Sequence, residues 1–176
     1  ILEFFNFSSI IFNKKKIKQL LTNLIFIFYI FSLCSTLLIL SSYIYLKIVI
    51  FIVLLICVAS DIGGFVFGKI FKGPKLSKVS PNKTISGAIG SLVFSCIFAS
   101  ILIYYVTKSY DPFILIAACA TSISCQIGDL FFSFIKRKSN LKDSSNFLPG
   151  HGGFLDRVDG ILLGLPVGFL TLITIY

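Results

Sequence analysis

Five apolar runs dominate the chain. Leu24–Ser42 holds 19 residues without a charge, Ile85–Thr107 holds 23, and Pro112–Gly128 and Gly160–Tyr176 hold 17 each. The remaining run, Tyr43–Ser60, carries Lys47 near one end, where the ammonium can reach the membrane interface while its stem stays in hydrocarbon. A helix needs about 20 residues to cross the hydrocarbon core, with a range of about 17–25. The two shortest runs must therefore borrow flanking residues. Composition agrees: 56% of the 176 residues are hydrophobic, 13% are charged, and mean hydropathy is +0.98. Soluble domains carry about 25% charged residues, and a soluble fold of this size could not hide so much apolar surface. The expected fold class is an all-α polytopic membrane protein. It should have about five complete transmembrane helices plus a partial N-terminal one, with cytoplasmic polar loops.

The opening ILEFFNFSSIIF reads as the tail of an earlier helix, and it lacks the basic region and small-residue cleavage site of a signal peptide. The sequence begins at Ile1 and contains no Met, so an N-terminally truncated piece of a longer protein is expected. No linker, repeat or low-complexity tract divides it, so residues 1–176 should form a single membrane-embedded domain. Cys34, Cys57, Cys96, Cys119 and Cys125 all lie in apolar runs and form no CxxC pair. They are expected as small buried hydrophobes, not as disulfides or zinc ligands.

Basic residues set an orientation. They fall in clusters of four (Lys14, Lys15, Lys16, Lys18), one (Lys47), five (Lys69, Lys72, Lys75, Lys78, Lys83), one (Lys108) and five (Lys136, Arg137, Lys138, Lys142, Arg157). The rich and poor clusters alternate at every crossing, so the rich ones are expected in the cytoplasm. Asp61, Asp129, Asp143, Asp156 and Asp159 then lie at or near that face, and only Glu3 and Asp111 do not. Asp61 is expected to close the second run and Asp129 the fourth. A carboxylate at a helix centre costs about 2.5–3.5 kcal/mol on insertion scales. Several converging on one face suggest a polar site between helix ends; the plainer alternative is interfacial aspartates paired with loop lysines.

The segment KDSSNFLPGHGGFLDRVDG, residues 142–160, concentrates this chemistry. Asp156 and Asp159 are three apart, a spacing that puts two carboxylates on one helix face about 5–6 Å apart. Paired hard oxygens suit Mg²⁺, which keeps waters and substrate phosphates in its shell, and Asp143 could add a ligand. Gly150, Gly152 and Gly153 flank His151 and would let backbone amides approach an anion. Lys136, Arg137, Lys138 and Lys142 give a positive rim. Acids for a metal beside bases for phosphates indicate phosphoryl or nucleotidyl transfer. An ordinary basic loop with a glycine turn would explain the lysines, but not three aspartates around an HGG.

The second polar loop, GKIFKGPKLSKVSPNKTISG, is a weaker signal, and it contains no G-x-x-x-x-G-K-[ST] phosphate loop. Gly160, Gly164 and Gly168 recur every four residues, as do Gly64 and Gly68, which points to close helix packing. Pro166 should kink the last helix.

SFIKRKSNLKDSSNFLPGHGGFLDRVD, Ser133 to Asp159, resembles the signature of the phosphatidate cytidylyltransferases, the CDP-diacylglycerol synthases. That signature is S-x-x-K-R-x4-K-D-x-[GSA]-x2-[LIF]-[PGS]-x-H-G-G-x-x-D-R-x-D. Ser133, Lys136, Arg137, Lys142, Asp143, Ser145, Leu148, Pro149, His151, Gly152, Gly153, Asp156, Arg157 and Asp159 stand in register without a gap. GDLF at 128–131 and the stretch from Asp61 through SPNKT also resemble the family's upstream blocks, so the likeness runs from about Asp61 to the C-terminus. Two positions depart from it: Phe132 stands where an acid is common, and Ser86 where Glu or Gln is usual.

The resemblance implies that CTP and phosphatidate react to CDP-diacylglycerol and pyrophosphate with Mg²⁺ as cofactor. It implies catalytic roles for Lys142, Asp143, Asp156, Arg157 and Asp159, with the metal at Asp129, Asp143, Asp156 and Asp159. Ser80, Lys83, Thr84, Lys136, Arg137, His151, Gly152 and Gly153 would bind substrate. The expected setting is multi-pass in a bacterial inner membrane with the site on the cytoplasmic face; a homodimer is compatible with it, and no nucleic-acid partner is expected. Rival readings are an inactive paralogue, a related polyprenol or phytol kinase, and an ion-coupled transporter using Asp61 and Asp129. A CDP-alcohol phosphotransferase would need D-G-x2-A-R and three residues, not two, between Asp156 and Asp159.

Overall fold

A computed structural model describes residues 1–12, 15–77, 79–141, 144–145 and 152–175. The helices are α1 (Leu2–Ile11), α2 (Lys16–Ser41), α3 (Ile44–Phe71), α4 (Ile85–Thr107), α5 (Ile114–Lys138) and α6 (Leu155–Ile175). The last five are long and apolar enough to cross a membrane, and the protein is a multi-pass membrane protein. No strand occurs among the described residues; an antiparallel bridge joins Lys75 and Thr84. Hydropathy placed the runs correctly but misjudged their ends. α3 continues past Ser60 to Phe71 and α5 past Gly128 to Lys138. Asp61 and Asp129 therefore do not close their helices as expected but sit within them. Helix hydrogen bonding is indifferent to side-chain polarity, so a helix outlasts its apolar run wherever its polar end is solvated or paired.

The core lies where α3, α4, α5 and α6 meet. Val53, Ile56 and Cys57 of α3, Ala99 of α4, Ile114, Ala117 and Ala118 of α5, and Leu165 and Leu172 of α6 are all buried there. Between helices in lipid the hydrophobic effect contributes little, and association depends on close packing of small residues. The glycine faces supply it. Gly63, Gly64 and Gly68 lie against Gly87, Gly90 and Ser91 of α4. Gly160, Gly164 and Gly168 lie against Asp129, Cys125 and Thr121 of α5. α6 runs helically through Pro166. Cys57 and Cys125 are buried as expected, whereas Cys34 is exposed on α2. Exposed Phe28, Phe31 and Leu38 of α2 present a lipid-facing surface.

The N-terminal segment holds the ten-residue helix α1. It lies back against α2 and the end of α5. Phe4 stacks on Phe26 with ring centroids 3.8 Å apart, and Phe26 meets the edge of Phe132 at 6.5 Å. The Ser139 hydroxyl donates to the Phe7 carbonyl at 3.5 Å. Phe132, one of the two departures from the family pattern, thus fills an apolar cluster.

At Gly63 an added Cβ would stand 2.6 Å from the Phe94 Cβ and 2.9 Å from the Gly90 carbonyl oxygen. Neither neighbour can rotate away, so Gly63→Ala should force α3 and α4 apart at a cost of about 1–3 kcal/mol. Thermal unfolding in detergent checks this against Ile62→Ala, a change at a lipid-exposed neighbour. The packing account requires a clear drop for the first and little change for the second.

Candidate active site

The site is assembled from the polar ends of α3, α5 and α6 and the loop before α4. That loop is pinned by two backbone hydrogen bonds, Leu76 N–H to the Lys83 carbonyl at 2.8 Å and Ile85 N–H to the Pro74 carbonyl at 3.0 Å. Thr84 caps α4, its hydroxyl oxygen accepting from the Gly87 N–H at 3.1 Å. This geometry aims Lys83 across the bundle, where it forms an ion pair with Asp129 of α5. Asp61 lies within electrostatic reach of both. Together with Gln126 and Ser91 they line a pocket of about 260 Å³. The Gln126 amide donates to the Ala88 carbonyl at 3.2 Å, tying α5 to α4.

α5 and α6 come close enough for their carboxylates to meet. A Cβ on Gly128 would lie 2.6 Å from the Asp159 carbonyl oxygen, and one on Gly160 would lie 2.8 Å from Asp129 Oδ1. The Asp129 and Asp159 side chains lie beside each other at this approach. Two carboxylates this close repel, and the Lys83 and Lys136 ammonium groups beside them offset that repulsion. Lys136 Nζ lies 2.7 Å from Asp156 Oδ1 and 3.9 Å from Asp159 Oδ2, with all three side chains largely buried. Asp156 is fully engaged: its Oδ2 accepts from the Ser144 N–H at 2.8 Å and the Gly153 N–H at 3.1 Å.

Several expectations can be compared with this geometry. Asp129, Asp156, Asp159, Lys83 and Lys136 come together. Arg137 Nε donates to the Val79 carbonyl at 3.4 Å, joining the end of α5 to the second loop. Ser80 contributes its carbonyl to the Lys83 N–H at 3.1 Å. Arg157 is exposed in the first turn of α6. Gly152 has φ 79°, a backbone region that glycine tolerates best. The Gly153 amide, expected to face an anion, is given to Asp156 instead. Ser86, the other departure from the family pattern, donates to the Lys72 carbonyl at 3.2 Å. Lys142, Asp143 and His151 lie outside the described residues. Among the described residues, no group of three or more His, Cys, Asp or Glu side chains is arranged to hold a metal. The contacting Asp129–Asp159 pair nevertheless offers the hard oxygens that suit Mg²⁺.

Glu3, set apart from the other carboxylates on sequence grounds, proves to belong with them. It accepts from the Ser144 hydroxyl at 3.0 Å, from the Ser145 hydroxyl, and from the Phe154 and Leu155 N–H groups at 3.0 and 2.7 Å. Burial raises its pKa, but the hydrogen bonds from Ser145, Leu155, Phe154 and Ser144 outweigh this and hold the carboxyl below its ordinary 4.5. No local pattern around Glu3 announces this role, because its partners are remote in sequence. Gln126 was findable in principle, as a polar residue within an apolar run.

The cytidylyltransferase family model matches residues 2–175. A phosphatidate cytidylyltransferase of Rickettsia bellii is 39% identical over 117 residues, covering 62% of this chain and 51% of the relative. That of Rickettsia typhi is 40% identical over 128 residues, covering 67% and 56%. That of Staphylococcus haemolyticus is 41% identical over 110 residues, covering 61% and 42%. The chain spans about half the length of the curated relatives it matches.

Two consequences of the geometry are measurable. Lys136→Met strips the ammonium from Asp156 and Asp159 and should cost about 1.5–3 kcal/mol of stability. Adding Asp156→Asn should restore part of that loss; equal unfolding temperatures for wild type and Lys136→Met would contradict the pairing. The lowered Glu3 pKa fixes a sign. Its stabilising contribution is complete above the ordinary carboxyl value of 4.5 and is lost as pH falls through the lower folded value. The stability gap between wild type and Glu3→Gln should therefore be full near neutrality and close in acid.

Proposed function

The chain belongs to the cytidylyltransferase family, and on that premise we propose that the protein transfers CMP from CTP to phosphatidate, giving CDP-diacylglycerol and pyrophosphate for phospholipid synthesis. The observation that carries this reading is the meeting of Asp129, Asp156, Asp159, Lys83 and Lys136 at one end of a membrane bundle. There a water-soluble nucleotide and a lipid phosphate can reach the same groups. An apolar groove of about 820 Å³ between α2, α3 and α6 opens beside Phe154 and Leu155 and suits the acyl chains of such a lipid. The names of the bacterial relatives support the same substrates. Alternation of lysine-rich and lysine-poor ends supports a cytoplasmic site in a bacterial inner membrane, within a single membrane-embedded domain.

In the reaction a phosphatidate phosphate oxygen attacks the α-phosphorus of CTP. A new P–O bond forms as the bond to the bridging oxygen breaks, and pyrophosphate leaves with that electron pair. Lys83, Lys136, Arg137 and Arg157 supply positive charge for the phosphates, joined by Lys142 as the family resemblance implies. Asp129 and Asp159 would hold Mg²⁺, joined by Asp143 as the resemblance implies, while Asp156, which the resemblance also places in that set, is engaged by Lys136, Ser144 and Gly153. Mg²⁺, when bound, supplies charge neutralisation for the triphosphate and the leaving pyrophosphate. Lys83 and Lys136 hold Asp129 and Asp159 in position, and the Gly128–Gly160 approach keeps those two carboxylates together.

The test uses the complete protein in detergent–phosphatidate mixed micelles with CTP, with Mg²⁺ or with a chelator. Wild type should form CDP-diacylglycerol only with the metal, and Asp159→Asn should lower the rate about a hundredfold or more. Absence of product from folded wild type would favour an inactive paralogue. Metal-independent transfer would remove the proposed role of the carboxylates.

A further inference from the structure

Glu3 lies outside every motif named above, yet it joins three parts of the chain. Ser144 and Ser145, two of its partners, stand between α5 and α6, and Ser144 is 141 positions away in sequence. The other two, the Phe154 and Leu155 N–H groups, open α6. The first amides of a helix have no intrahelical acceptor, and a carboxylate there both satisfies them and complements the helix dipole. Asp156 grips the same segment from within α6 through the Ser144 and Gly153 amides. The two carboxylates thus clamp the chain at both 144 and 153–155. A Cβ on Gly153 would lie 2.8 Å from Glu3 Oε1, so the close approach depends on glycine. Glu3 is itself held firmly, because Phe4 stacks on Phe26 and Phe7 is buried.

We propose that Glu3 is a positioning residue for the nucleotidyl-transfer site. By bonding Ser144, Ser145 and the first amides of α6, it ties residues 144–145 to the start of α6 and sets where Arg157 and Asp159 stand relative to Asp129. The inference rests on the function proposed above. It adds a group on the N-terminal helix that acts through the segment it holds. Its carboxylate form is the one required, since all four partners donate to it.

The test compares wild type, Glu3→Gln, Ser144→Ala with Ser145→Ala, and all three changes together, in the complete protein. Gln keeps the size of the side chain but turns one acceptor into a donor facing other donors. The first readout is amide hydrogen exchange over residues 152–160, which needs no activity. Exchange at Phe154 and Leu155 should be about tenfold faster in Glu3→Gln. The second is steady-state CDP-diacylglycerol formation, where kcat should fall about 10- to 100-fold while helical circular dichroism is unchanged. The triple variant should be no slower than Glu3→Gln, because the two serine hydroxyls act through the Glu3 carboxylate. Unchanged exchange, wild-type kcat in Glu3→Gln, or losses that multiply in the triple variant would overturn the proposal. Inactive wild type with faster exchange in Glu3→Gln would instead leave the clamp standing and remove the proposed reaction.

Discussion

The contact on which the rest depends is between α5 and α6, where Gly128 and Gly160 bring two backbones together. Without side chains at those positions, Asp129 and Asp159 meet across the helix interface. That meeting is costly in a membrane protein, because carboxylates near hydrocarbon lose hydration and repel each other. Lys83 reaches in from the loop before α4 and Lys136 from the last turns of α5 to offset it. The same ion pairs tie the loop before α4 to α5, and α5 to α6. A bundle that assembles by close packing thus places its charged groups as a by-product of its glycines.

Much of this was legible in the residues. Lipid leaves a helix no option but to satisfy its own backbone, so long uncharged runs read directly as spans. Glycine repeats marked the faces that pack, and the Asp156–Asp159 spacing marked a shared helix face. What could not be read were the helix ends beyond the apolar runs. Asp61 and Asp129 look like terminators in a hydropathy profile, yet they are interior residues whose helices continue into a polar, paired region. Asp156 looked like a free ligand, but its spacing could not show that Lys136, Ser144 and Gly153 already occupy it. Glu3 carried no local signal at all, since its partners lie in segments remote in sequence.

The two departures from the family pattern have physical settings of their own. Phe132 replaces a charge with a ring that fills the cluster formed by Phe4, Phe26 and Leu155, so this position supports α1, which in turn carries Glu3. Ser86 bonds the Lys72 carbonyl and the Thr84 hydroxyl, stiffening the loop that presents Lys83. Both substitutions act on the supports of the charged groups rather than on the groups themselves.

The central claim is that this polar end joins a nucleotide to a lipid by attack at the α-phosphorus. The most direct measurement follows label from CTP into extracted lipid, using the complete protein with phosphatidate and Mg²⁺ and CTP carrying ³²P at either the α or the γ position. The account predicts that α-label enters the lipid and γ-label leaves as pyrophosphate. Transfer of γ-label to lipid would identify a kinase and contradict it.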